Sequence, residues 1–151
     1  MAKLGEKFRK WTKVGSAKRR AEQVAALCTR KKDGKRQVLL VTSRESRRWV
    51  IPKGWPMKGL ADHEAAAVEA WEEAGISETK SKRKPIGRFG YLKKLDDGSA
   101  LPVEVTVFRL KVKDTKKSYP ECHQRKRKWV SPKTAAAMVR EPGLRKILRD
   151  L

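Results

Sequence analysis

The stretch Leu101–Val112 constrains the fold more than any other part of the chain. Val103, Val105 and Val107 fall on one side of an extended strand, and Phe108, Leu110 and Val112 fall on the other, because successive strand side chains point to opposite faces. A strand that is apolar on both faces needs cover on both. It is therefore expected at the centre of a layered sheet, and the rest of the chain must supply apolar elements for two sides.

The remaining elements meet that demand. VAALCT (Val24–Thr29) and QVLLVTS (Gln37–Ser43) read as strands joined by the turn KKDGK, whose Asp-Gly pair is a strong hairpin signal. Ile86–Leu92 pairs in sequence with the central strand across Asp96-Asp97-Gly98, and RKRKWVS (Arg125–Ser131) is a further strand. RRWVIP is a short apolar segment closed by Pro52, and KGWPMKG (Lys53–Gly59) is a loop. Asp62–Ala74 is the clearest helix, with Gly75 as its stop. Ala66, Ala70 and Ala74 give it a small-residue stripe for close packing. Ser131 caps a second helix with Pro132 at its first position, and Glu141–Leu151 forms a third. Strands with interspersed helices predict an α/β layer protein. Residues 1–20 form a basic N-terminal extension, and residues 21–151 form one domain.

Charge narrows the function. The chain of 151 residues carries 39 Lys plus Arg against 17 Asp plus Glu, a net charge of +22. A field of that size attracts polyanions: nucleic acid, an anionic membrane or a polyphosphorylated small molecule. No apolar run approaches the roughly 18 residues of a membrane-spanning helix. Cys28 and Cys122 are too few for a disulfide framework and lack metal-type spacing. They point to a reducing, cytoplasmic setting. Leu4, Phe8, Trp11 and Val14 lie near helical spacing among basic residues; the extension is expected to dock on the domain or fray, since isolated short helices are marginal, with a membrane-surface segment as the alternative.

The acids are not spread evenly. Five of the 17 lie between Asp62 and Glu73, where no Lys or Arg occurs. On a helix, Glu69, Glu72 and Glu73 stand at i, i+3 and i+4 and share one face. Such a face is either solvated or gathered around a divalent cation, since hard cations take oxygen ligands. Spacing alone favours the solvated face and does not point to the cation.

The longer pattern does. Gly54 to Ile76, GWPMKGLADHEAAAVEAWEEAGI, resembles the box of the Nudix hydrolases, G-x5-E-x7-R-E-U-x-E-E-x-G-U, with Gly54, Glu69, Glu72, Glu73, Gly75 and Ile76 in register. Leu60 stands where the box has its first Glu, Val68 where it has Arg, and Ala70 at the aliphatic position. VLLVTSRESRRWVIPKGWPMKG, EEAGI and RKRKWVSP extend the likeness to the diphosphoinositol polyphosphate phosphohydrolase-like members. The resemblance implies an α/β/α sandwich with a mixed sheet. It also implies Mg²⁺ (or Mn²⁺) held by Glu69, Glu72 and Glu73, with Glu69 or Glu73 as general base. The activity it implies is hydrolysis of a phosphoanhydride in a highly anionic substrate, of diphosphoinositol polyphosphate or dinucleoside polyphosphate type. Arg44, Arg48, Lys53, Gly54 and Lys58 beside the box, with Arg125 and Arg127 from the later strand, are the expected substrate-binding residues. Arg suits phosphate because its fork binds two oxygens at once. The alternative is a non-catalytic or weakly catalytic basic module that binds RNA.

Overall fold

The computed structural model describes residues 21–151; the extension 1–20 and the segment expected within it lie outside the described residues. Among the described residues, eight strands form one mixed sheet. In chain order they are β1 (Ala21–Lys32), β2 (Lys35–Thr42), β3 (Trp49–Val50), β4 (Lys53–Gly54), β5 (Ile76–Ser81), β6 (Gly87–Lys94), β7 (Ala100–Thr115) and β8 (Arg127–Val130). Helix α1 (Asp62–Ala74) precedes β5, and α2 (Pro132–Met138) and α3 (Pro142–Arg149) follow β8.

β7 is the centre that its two-faced pattern demands. It runs parallel to β1 on one side and antiparallel to β5 and β6 on the other. One face buries Val103, Val105 and Val107 with Leu27, Val38, Leu40 and Phe89 beneath Ala135, Ala136, Leu144 and Leu148 of α2 and α3. The opposite face buries Phe108 and Leu110 with Val24, Ala26, Leu39 and Val41 beneath Ala65, Ala66, Ala70 and Ala74 of α1. The alanine stripe is what lets α1 lie close on the sheet. The result is the expected α/β/α sandwich.

One detail of the sheet creates the site. β1 and β2 leave a tight hairpin at Asp33-Gly34, both with positive φ (53° and 76°), the geometry of a type I′ turn. They then diverge, and residues 49–54 wedge between them, β3 on β2 and β4 on β1. The expected loop at Lys53–Gly59 therefore begins as a short strand, which places Gly54 within the sheet under α1. The expected strand Arg125–Ser131 starts only at Arg127; Arg125 and Lys126 belong to the segment leading into it. β5 had no counterpart in the sequence pattern.

Candidate active site

Glu69 and Glu73 lie on the sheet-facing side of α1 and are buried, whereas Glu72 is partly exposed beside them. Gly54 explains how Glu69 reaches the sheet: a Cβ added there would overlap the Glu69 carboxylate. Only a residue without a side chain lets that carboxylate rest against the β4 backbone. Burial pushes the Glu73 carboxyl up to about 7. Arg125, Lys53 and a hydrogen bond between the Glu73 and Glu69 carboxyls act in the opposite sense, and Glu121 adds to the rise.

Arg125 is enclosed at this point, its side chain 9% exposed. It donates from Nε to Glu121 (2.8 Å) and from Nη1 to the Thr42 carbonyl (3.0 Å), and its Nη2 stands 3.7 Å from a Glu73 oxygen. The segment carrying Glu121 is fastened to α1 by a bond from the Glu121 amide to the Glu72 carbonyl (2.9 Å). Arg125 thus reaches the glutamates, but with its donors already engaged by the protein. Arg127 is directed elsewhere. Its Nη1 donates to the Ala74 carbonyl (2.6 Å) and its guanidinium stacks on Tyr119, closing the C-terminal end of α1.

The other expected substrate residues divide in the same way. Lys53 is half-buried, with its ammonium over the Tyr91 ring, 5.2 Å from the centroid. Burial lowers its pKa, while Glu73 and Glu141 raise it, so it lies in the field of two acidic centres. Arg48 pairs with Glu141 (3.2 Å). Arg44 is exposed and contacts Gln124 and Glu121 (3.3 and 3.9 Å), and Lys58 is exposed on the loop before α1. Trp49 and Trp55 pack against the core beneath α2 and α3.

Sequence reasoning missed Glu141, Tyr91 and Glu121. Glu141 is buried (7% exposed), and its Oε1 has no hydrogen-bond partner. It occupies the N-cap position of α3 yet makes no side-chain cap bond. A glutamate where Ser, Thr, Asp or Asn would serve better, directly before Pro142-Gly143, was the available signal. Tyr91 donates to Gln23 (2.6 Å), and burial holds its phenol above the ordinary range.

A divalent cation suits this donor set. The donors are all oxygens, and two carboxyls share a buried space in which one of them is driven towards its protonated form. That is the condition a hard cation relieves. Among the described residues no group of three or more His, Cys, Asp or Glu side chains stands gathered as a metal site.

The NUDIX domain family matches residues 19–151. The chain belongs to that family. A Nudix relative, "Nudix hydrolase 12, mitochondrial" of Arabidopsis thaliana, is 29% identical over 119 residues, 77% of this chain. The match spans 58% of that relative's length. Among solved structures, a C. elegans Ap4A hydrolase binary complex superposes with TM-score 0.63 at 22% identity, covering 85% of this chain and 92% of that one. A MutT protein from Methanosarcina mazei Go1 gives 0.58 at 26% identity over 85% and 90% of the two chains. A Nudix hydrolase from Nitrosomonas europaea gives 0.60 at 20% over 87% and 88%. Within the Nudix box, the departing Leu60 is exposed and Ala70 is fully buried against the sheet. Val68 lines a shallow depression with Ala67, Trp71 and Ile76. Among the described residues no helix is long and apolar enough to cross a membrane.

Proposed function

We propose that this protein is a divalent-metal-dependent pyrophosphohydrolase that cleaves a phosphoanhydride bond of a dinucleoside polyphosphate-type substrate in a cytoplasmic setting. The observation that carries the reading is the Glu69 carboxylate seated on Gly54 and hydrogen-bonded to Glu73 inside a Nudix box. Glu69, Glu72 and Glu73 would hold the cation, with a backbone carbonyl near Lys53–Gly54. When bound, Mg²⁺ or Mn²⁺ neutralises phosphate oxygens and acidifies a coordinated water. The protein does the rest. Glu69 or Glu73 would accept the proton from the attacking water. Lys53 adds positive charge for the substrate phosphates, and the exposed Arg44 and Lys58 guide the polyanion inward. Arg125 fixes the Glu73 carboxylate and Arg127 fixes the end of α1, so these two support the site.

Glu141 favours a nucleotide over a diphosphoinositol polyphosphate. Its unpaired oxygen calls for a hydrogen-bond donor, which a nucleobase amino group or a ribose hydroxyl provides. An inositol ring bearing phosphates all round would set negative charge against a buried carboxylate, although Arg48 offsets part of that. The test is product release from diadenosine tetraphosphate and from a diphosphoinositol polyphosphate with Mg²⁺. Wild type is run beside Glu72→Gln and Glu141→Gln. Turnover lost in Glu72→Gln, with KM raised by Glu141→Gln for the dinucleotide alone, supports the reading. Full turnover in Glu72→Gln refutes the metal assignment. Faster cleavage of the inositol substrate by wild type refutes the substrate class.

A further inference from the structure

Among the described residues, the sheet face that α2 and α3 cover is not covered along its whole length. The helices pack over Phe89, Val103, Val105, Val107, Leu27, Val38 and Leu40. Beyond Val107 the same face of β7 continues as Arg109 and Lys111, because alternate strand residues share a side. Register carries the pattern across the sheet. Lys80 of β5 pairs with Lys111, Lys111 with Thr29 of β1, and Thr29 with Val38 of β2. One row towards the hairpin, Lys31 pairs with Arg36. One row towards the helices, Arg109 pairs with Leu27 and donates to Thr29 (3.3 Å). Lys31, Lys80 and Lys111 are exposed, and Arg36 and Arg109 are half-exposed.

Carboxylates are absent from these rows. Of the acids on these strands, Glu22, Glu104 and Asp114 occupy the alternate positions that face the α1 side, Glu78 of β5 is paired with Asp114, and Asp33 sits in the hairpin turn. Arg109 lies close enough to Arg36 for the two like charges to depress its pKa, after the larger effect of burial. On the opposite face, by contrast, Arg30 is engaged by Gln37 and stacks on Trp129. Gathering uncompensated cations on a rigid surface opposes folding, so packing does not explain it. Strands spaced about 4.8 Å apart, with same-face residues about 6.8 Å apart along each, make a fixed two-dimensional lattice of positive charge. No large apolar side chain projects from these rows, so nothing here would insert into a lipid surface.

We propose that this open end of the sheet, built from Lys31, Arg36, Lys80, Arg109 and Lys111, is a docking surface for the phosphate backbone of single-stranded RNA, separate from the glutamate site on the α1 side. The argument is charge complementarity, and it stands whether or not the catalytic reading holds. Contacts of this kind follow the backbone without reading sequence. They weaken with salt in proportion to the phosphates neutralised.

The experiment measures binding of a labelled single-stranded RNA by the full chain over a range of salt. The variant is the triple Lys31→Gln, Lys80→Gln, Lys111→Gln. Its control is Lys94→Gln, Lys133→Gln, Arg149→Gln, which removes the same charge from exposed positions elsewhere. The surface triple is expected to weaken binding on the order of tenfold or more and to flatten the log–log salt dependence by about 2. The control should cost much less. Neither triple should lower the thermal midpoint, and the surface triple, which relieves repulsion among neighbouring cations, should raise it more than the control; hydrolysis of a small phosphoanhydride should match wild type in both. Equal losses in the two triples would reduce the effect to net charge and overturn the proposal. So would wild-type protein that binds no RNA, or one that binds anionic phospholipid vesicles through these lysines while ignoring RNA.

Discussion

Position 68 of the box holds valine where an arginine is expected, and a cation reaches the glutamates by another route. Arg125 arrives from the segment before β8 and spreads its fork over Glu121, the Thr42 carbonyl and Glu73. A lysine keeps the charge but loses the fork. Arg125→Lys should therefore lower kcat or metal affinity by about 10–100-fold, as is usual when a group orienting a ligand is lost, with KM changed less. Arg125→Ala should lose more than Arg125→Lys. Steady-state kinetics against metal concentration checks this, and an unchanged Arg125→Lys enzyme would remove the positioning role. Glu73 yields a second expectation. Burial raises its folded pKa from an ordinary 4.5 to about 7, so between those values the folded state holds a proton that the unfolded state has released. Metal-free stability should fall as pH climbs through that window. Metal binding must displace the same proton, so metal affinity should rise with pH through about 7. Calorimetry in buffers of different ionisation enthalpy should detect proton release near neutrality and little at pH 9.

At the scale of elements, α1 shows what the sequence made legible and what it did not. Its bounds, Asp62–Ala74, and the glycine that ends it are as expected, because the helix formers and the left-handed C-cap are local signals. The same is true of the Ser131 cap and of the central strand. What fastens the end of α1 was not legible. Tyr119 and Arg127 close on Gly75 from segments more than forty residues away, and no spacing rule reports such contacts. Arg127 therefore reads from sequence as a phosphate ligand. β5 was missed because it is an edge strand whose ISETKS pattern buries only Ile76; its pairing with β7 includes two register shifts that blur any period of two. Gly75 has φ of 71°, and a Cβ there would collide with Tyr119, Arg127 and the Lys116 carbonyl. Gly75→Ala should cost more than about 1 kcal/mol. Arg127→Ala should cost about 1.5–3 kcal/mol for the lost charged hydrogen bond. Both should destabilise more than they change KM, which denaturant titration and kinetics together separate. A large KM effect in Arg127→Ala at unchanged stability would return that residue to the substrate.

For the whole molecule, electrostatics sets a sign. Most proteins near neutrality of charge lose a little stability when salt screens their surface pairs. Here few pairs are available to lose: among the described residues, exposed Lys116–Asp114 and Lys146–Asp150 are the simple two-residue surface pairs, and such pairs contribute little. Against them stands repulsion among the cations of a chain carrying +22, which opposes the compact state. Raising ionic strength from about 10 mM to 150 mM shortens the screening length from about 30 Å to about 8 Å, so repulsion across the molecule is quenched before contact pairs are. The thermal midpoint should therefore rise with salt, by about 2–4 °C for each kcal/mol of repulsion relieved in a chain of this size. Anions that also bind the open sheet face should add to this beyond simple screening, by mass action on the folded state. Melting in chloride and in inorganic polyphosphate at matched ionic strength distinguishes the two effects. An equal rise in both assigns everything to screening. A larger rise in polyphosphate that the Lys31, Lys80, Lys111 triple removes assigns the excess to the basic sheet surface. A midpoint that falls with salt would mean that attraction, despite the net charge, dominates the folded state.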